Sequence, residues 1–111
     1  MLFVEFLGPA PLYEETRQAV QQRVAGALRV PAGNVVLRRW PVESDYEGVE
    51  VWVEVSSEEQ LYRYGRRLAE EISSAIRAAR PVDVWVMFRV VTLDHAFLNG
   101  IPRSRDAGSS K

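Results

Sequence analysis

Val49-Glu50-Val51-Trp52-Val53-Glu54-Val55 alternates without a break, four valines pointing one way and two glutamates and a tryptophan the other. A period of two over seven residues is the signature of a strand with one dry face. Working outward, Ser56 and Ser57 follow it, and Glu59 and Gln60 come next. A serine hydroxyl can accept from an orphan amide while the side chain three residues on reaches back, so this pattern predicts a helix start. Leu61, Tyr64, Leu68, Ile72, Ala75, Ile76 and Ala79 then recur at helical spacing until Arg80-Pro81 closes the run. Residues 82–91 return to alternation. Val82, Val84, Val86, Phe88 and Val90 share one side, and Asp83, Trp85, Met87, Arg89 and Val91 the other.

The other half of the chain has the same order. Residues 2–7 read as a buried strand stopped by Gly8-Pro9-Ala10-Pro11. Residues 12–29 read as an amphipathic helix whose stripe is Leu12, Thr16, Ala19, Val20, Val24, Ala27 and Leu28, ended by Pro31-Ala32-Gly33-Asn34. Residues 35–40 read as a second strand, with Pro41 placing its end at an edge or bulge. Residues 43–48 are a polar connection. Near the end, Phe97-Leu98-Asn99-Gly100-Ile101-Pro102 places Asn-Gly between apolar residues, which predicts a hairpin turn between two very short strands. The order is βαββαβ plus a hairpin, an α+β class with two helices on one face of a four-stranded sheet. Residues 1–102 form the expected domain, and residues 103–111, polar and small, the expected disordered tail.

Two helices cover one face of such a sheet and leave the other to be accounted for. Alternation assigns to that second face Phe3, Glu5 and Leu7, then Arg38 and Trp40, then Glu50, Trp52 and Glu54, then Trp85, Met87 and Arg89. Three tryptophans on one sheet face are unfavourable to leave in water, so self-association is the expectation. The glutamates and arginines among them can pair across strands.

Composition excludes several functions. A chain of 111 residues can bury a core of its own without disulfides or a structural metal. With 14 basic and 15 acidic residues and no long run of like charge, neither nucleic acid nor a membrane surface is an expected partner. The absence of cysteine removes thiol chemistry and cysteine-ligated zinc. One histidine and no close carboxylate cluster give no expected metal site, there is no glycine-rich phosphate loop, and no cofactor is implied. The opening Met1-Leu2-Phe3-Val4-Glu5-Phe6 lacks the basic start and long apolar middle of a signal peptide, so a cytoplasmic location is expected.

The element order alone fits both a ferredoxin-like sandwich and a tautomerase fold. The C-terminal third separates them. Pro81-Val82-Asp83-Val84-Trp85-Val86-Met87-Phe88-Arg89-Val90, a loop, and Phe97-Leu98-Asn99-Gly100 resemble the last long strand and closing hairpin of proteins of the tautomerase superfamily, the macrophage migration inhibitory factor type. Over nearly its whole length the chain also resembles a small bacterial family of unknown function within that superfamily, with an acidic start to the second helix and an aromatic-x-x-Gly near the end. The resemblance implies a homotrimer whose sheets surround a central channel, with each C-terminal hairpin extending a neighbour's sheet. It also implies catalysis by an amino-terminal proline of lowered pKa in the active members. Here Leu2 stands in that place, so the role does not carry over to Leu2 or to Met1. On the last long strand, Trp85 and Met87 replace a tyrosine and an asparagine, and the family's basic residue before the second strand aligns with Val30, next to Arg29. Met1, Leu2, Arg38, Trp85 and Met87 are the ligand-pocket candidates, with a small carboxylate as the ligand.

Three residues are candidates for other chemistry. His95 follows Asp94 and could form an acid-base couple, although sequence neighbours seldom face each other and a turn histidine is the simpler reading. Arg38 and Arg39 could offer a guanidinium to a carboxylate, but alternation sends them to opposite faces, and the inward one is better read as a cross-strand partner of Glu5 or Glu50. Glu50 and Glu54 stand about 13 Å apart along one strand, too far for a glycosidase pair. The leading expectation is a homotrimer without proline catalysis. The alternatives are an isomerase acting through Arg38, Arg39 or His95, and a ferredoxin-like dimer that binds a small ligand. Intact-mass measurement of untagged protein should show Met1 retained, because leucine is a poor second residue for its removal, and ketonisation of a phenylpyruvate-type enol should stay at background.

Overall fold

The strand at residues 49–55 forms as its alternation requires, and the rest of the chain is arranged around it. The computed structural model describes residues 1–104; the expected tail thus lies largely outside the described residues. In order the elements are β1 (Leu2–Leu7), α1 (Ala10–Leu28), β2 (Val35–Arg39), β3 (Val49–Val55), α2 (Glu58–Ala79), β4 (Val84–Val90) and a separate hairpin of β5 (Phe97–Leu98) and β6 (Ile101–Pro102). Single 3-10 turns precede β2 and β5, over Ala32–Asn34 and Leu93–His95.

The four long strands make one mixed sheet in the order β2-β1-β3-β4. β1 pairs parallel with β2 and antiparallel with β3, and β3 pairs parallel with β4. Both helices lie on one face. Val49, Val51, Val53 and Val55 are buried beneath them with Val4, Phe6, Leu68, Ile72 and Ile76. Each such side chain contributes about 1.5–3 kcal/mol by leaving water, so this face is where the stability is concentrated. None of the helices of the described residues is long and apolar enough to cross a membrane.

Both ends of α1 and of β4 differ from the sequence reading, and β2 stops at Arg39 rather than at residue 40. α1 begins at Ala10 rather than at residue 12, because Pro11 sits in the first turn, where its missing N–H has no partner to lose. The helix ends on Arg29 in the left-handed region at φ 57°, and the Val30 amide donates to the Ala25 carbonyl to close it, so the stop precedes Pro31. β4 is two residues shorter at its start and one at its end, although the Val91 amide still donates to the Val55 carbonyl at 2.8 Å. Within α1, Ala19 is exposed and Tyr13 takes part in the core instead, its ring 5.3 Å from that of Phe6.

The start of α2 follows the serine pattern. The Gln60 amide donates to the Ser57 hydroxyl at 3.0 Å, and the Gln60 side-chain oxygen accepts from the Ser56 amide at 2.7 Å. The return bond therefore reaches one residue further back than in the usual capping box. Asn99 and Gly100, at φ 55° and 78°, supply the two left-handed positions that the tight hairpin turn requires. Replacing Ser57 by alanine should cost about 1 kcal/mol, a fall of roughly 4–8 °C in thermal midpoint by circular dichroism.

Candidate functional site

The open face of the sheet carries the side chains that alternation assigns to it, and register sets their neighbours. Glu5 lies opposite Arg38 on one side and Trp52 on the other, and Trp52 lies opposite Met87. Arg38, Glu5, Trp52 and Met87 thus form one row across all four strands. Next to it, Leu7, Glu50 and Trp85 form another.

Glu5 is the centre of this face. It is a carboxylate only 4% exposed, on the side of the sheet that has no helices. Arg38 donates to its Oε2 through both Nε (3.1 Å) and Nη2 (2.5 Å), and Arg89 donates from Nη1 to Oε1 at 2.9 Å. The guanidinium of Arg38 stands 4.9 Å from the Phe3 ring centroid and that of Arg89 4.5 Å from the Trp52 ring. The arginines are a lid one side chain thick. Their own side chains remain 44% and 45% exposed while they shut water off from Glu5. Arg89 is in register with Glu54, not with Glu5, so its side chain crosses over Trp52 to reach the carboxylate two strands away. Burial pushes the Glu5 carboxyl up, but the guanidiniums of Arg38 and Arg89 outweigh it and hold the group below its ordinary value. A carboxylate held ionised in this way is a poor general acid. What the arrangement can do is fix two guanidiniums in place.

The other candidates are dispersed. Arg39 lies on the helix side of β2, where its Nε donates to the Gly8 carbonyl at 2.9 Å and ties β2 to the turn before α1. His95 is exposed in the 3-10 turn over Leu93–His95, and among the described residues no hydrogen bond joins it to Asp94. Met1 is exposed, whereas the Leu2 side chain is in the core. Trp85 is exposed toward the opposite end of the sheet, and Met87 is half-buried in the Glu5 row. Within one protomer the pocket candidates Met1, Leu2, Arg38, Trp85 and Met87 therefore do not converge.

A cleft of about 330 Å³ does open at the start of β1, lined by Met1 and Leu2 together with Val30, Asn34, Glu54, Gln60 and Arg103. Spacing gave no reason to single out Arg103. It is placed there by the hairpin, since its amide donates to the Ala96 carbonyl at 2.9 Å directly after β6. Arg89 as a second partner of Glu5 was likewise missed, because register neighbours alone do not connect them. Among the described residues no group of three or more His, Asp or Glu side chains is arranged to hold a metal ion.

No protein-family model matches the sequence, and no curated protein matches it either. Solved structures do share its fold. A protein of unknown function from Vibrio cholerae superposes with a TM-score of 0.80 at 15% identity, over 91% of this chain and 86% of its own. A macrophage migration inhibitory factor-like protein from Entamoeba histolytica gives 0.72 at 6% identity, over 91% and 97% of the two chains. A fused 4-OT, described as a wild-type asymmetric trimer, gives 0.71 at 14% identity, over 91% and 95%. The fold is that of the tautomerase and migration inhibitory factor proteins, and at these identities the likeness is one of architecture.

The Glu5 cluster makes stability depend on pH. Its folded pKa is depressed below the ordinary 4.5, so its contribution is present above that value and is lost as pH falls through the folded pKa. Glu5→Gln should cost about 1–3 kcal/mol at pH 7. In urea titrations the gap between variant and wild type should close as pH falls below 4.5 and through the folded pKa.

Proposed function

We propose that this chain is the protomer of a homotrimer that binds a small carboxylate in the cleft at the start of β1 and does no amino-terminal proline chemistry. The observation that carries the assembly is the hairpin. Among the described residues β5 and β6 pair only with each other, outside the main sheet, and their Phe97, Leu98 and Ile101 are 62%, 55% and 65% exposed. A two-stranded ribbon with three bare apolar side chains is unfavourable in water, and it fits addition to the edge of another sheet. Among the described residues the outer edges of β2 and β4 are both unpaired. The fused 4-OT of the same fold is described as a trimer.

The chemistry follows from the residues at the cleft. β1 opens on Leu2, whose side chain is packed among core residues, so no ring nitrogen stands at the strand start to act as base or nucleophile. Arg103 offers a guanidinium, and Asn34 and Gln60 offer amides, to an anionic ligand. Gln60 already accepts from Ser56 through its oxygen, which leaves its NH₂ free to donate. This is a donor-rich cleft with an apolar wall at Leu2 and Val30, suited to holding a carboxylate rather than to moving a proton from carbon.

Multi-angle light scattering at micromolar concentration should return about three times the 12.6 kDa protomer mass. Deleting residues 97–111 should shift the protein toward smaller species, while deleting 106–111 should leave the mass unchanged. A stable trimer after the longer deletion would exclude the hairpin as the clasp, and a monodisperse monomer at full length would sink the reading as a whole.

A further inference from the structure

The cleft at the start of β1 is not the only concave surface with a guanidinium in it. On the open face, a recess of about 300 Å³ is lined by Leu7, Trp40, Val42, Arg89 and Glu5. It lies toward the Leu7 end of β1, about 16 Å along the strand from Leu2, so the two hollows are separate. Its walls are apolar on one side and carry the Arg89–Glu5 ion pair on the other. Trp40 and Val42 are both exposed, although each has enough apolar surface to favour a covered position.

The charged wall is built rather than incidental. Arg89 donates to Glu5 from Nη1 alone, which leaves its Nε and Nη2 without a hydrogen-bond partner among the described residues. Arg38 likewise spends Nε and Nη2 on Glu5 and keeps Nη1 uncommitted. The Trp52 ring below Arg89 and the buried carboxylate beside it restrict the guanidinium to one orientation. Rotamer freedom that a surface arginine would lose on binding an anion is therefore already lost in the fold. Glu5 and Glu54, the latter 4.0 Å from Arg89, balance the two guanidiniums in formal charge, so what this wall offers an anion is the uncommitted N–H edge of Arg89 rather than a net positive potential.

We propose that this recess is a second small-molecule site, one that takes a monocarboxylate with a single ring or a short branched chain. The free edge of Arg89 receives the carboxylate, and Leu7, Trp40 and Val42 cover the apolar body. The volume sets the size class, since about 300 Å³ is at the lower end of small-molecule pockets and admits one ring. Glu5 sets the charge class. A dianion would meet its carboxylate at close range, whereas a monoanion can sit on the outer edge of Arg89 with its apolar end directed toward Trp40. The site is drawn from one protomer and, in the trimer proposed above, rests on the Trp40 end of the open face staying reachable from solvent.

Titration of the full-length, isotopically labelled protein with benzoate, and separately with inorganic phosphate, tests the site by nuclear magnetic resonance. Benzoate should saturate at a Kd of about 1 mM or below and move the Trp40 indole and Arg89 Nε signals together. Arg89→Met should weaken it by about tenfold. Trp40→Ala, at a half-exposed position beside Glu5, should weaken it by a similar factor in a protein whose folded spectrum is intact. Phosphate should move the same signals much less. The proposal is overturned by the absence of saturation up to about 20 mM, by an equal response to phosphate, or by binding that neither substitution changes. Shifts confined to Leu28 and Val30 would also overturn it while supporting the carboxylate cleft at the start of β1.

Discussion

A sheet of four strands has two faces, and the described residues of this chain supply two α-helices to lay against it. Everything distinctive about the molecule follows from that shortage. The period of two along β1, β2, β3 and β4 sorts residues so cleanly that the valines of β3 all go beneath the helices while Glu50, Trp52 and Glu54 all go to the other side. A one-residue slip of β3 would exchange the two sets, placing two glutamates in the dry core. Register is therefore fixed by burial, and the composition of the open face is fixed with it.

On that open face Glu5 shows how a polar surface can be made water-tight without helices. Its carboxylate is taken out of water, which is costly, and the cost is offset by three hydrogen bonds from two charged donors. Such an arrangement contributes little net stability compared with a well-packed apolar one, yet cutting one partner leaves an uncompensated charge behind. Its value is geometric. It ties β2, β1 and β4 together through side chains across the face and holds two guanidiniums against aromatic rings. The recess beside Trp40 has a defined shape because of this.

Much of the architecture was legible in the residues. β3 and β4 could be read from alternation, α2 from its serine cap and apolar stripe, and the hairpin from Asn99-Gly100, whose positive φ values are a requirement of the turn itself. The open face could be listed residue by residue, because alternation needs no knowledge of the third dimension. The site was less legible. Arg38 opposite Glu5 is a nearest-neighbour pair, but Arg89 reaches Glu5 across an intervening strand, and that depends on side-chain length and on Trp52 serving as a floor. Arg103 enters its cleft only because the hairpin folds back from β4. Long arginine side chains carry these contacts beyond the range over which sequence periodicity has meaning.

The sheet order β2-β1-β3-β4 has a further consequence in terms of symmetry. β1 and β3 run antiparallel at the centre, and each has its own parallel partner at the edge, joined to it through a helix. A local two-fold axis between β1 and β3 would exchange the halves, and with them the strand starts at Leu2 and Val49. Both first side chains are buried, and a hollow lies beside each. At Leu2 the hollow is closed by Glu54, Ser56 and Gln60 from the end of β3 and the start of α2; at Gly48, by Leu7, Gly8 and Pro9 from the end of β1 and the turn into α1. The fold thus offers the same corner twice, once at the opening of the first half and once in mid-chain behind an acidic connection. One corner carries Asn34 and Arg103 and the other Arg39 and Glu47, so a single architecture presents two chemically different ends.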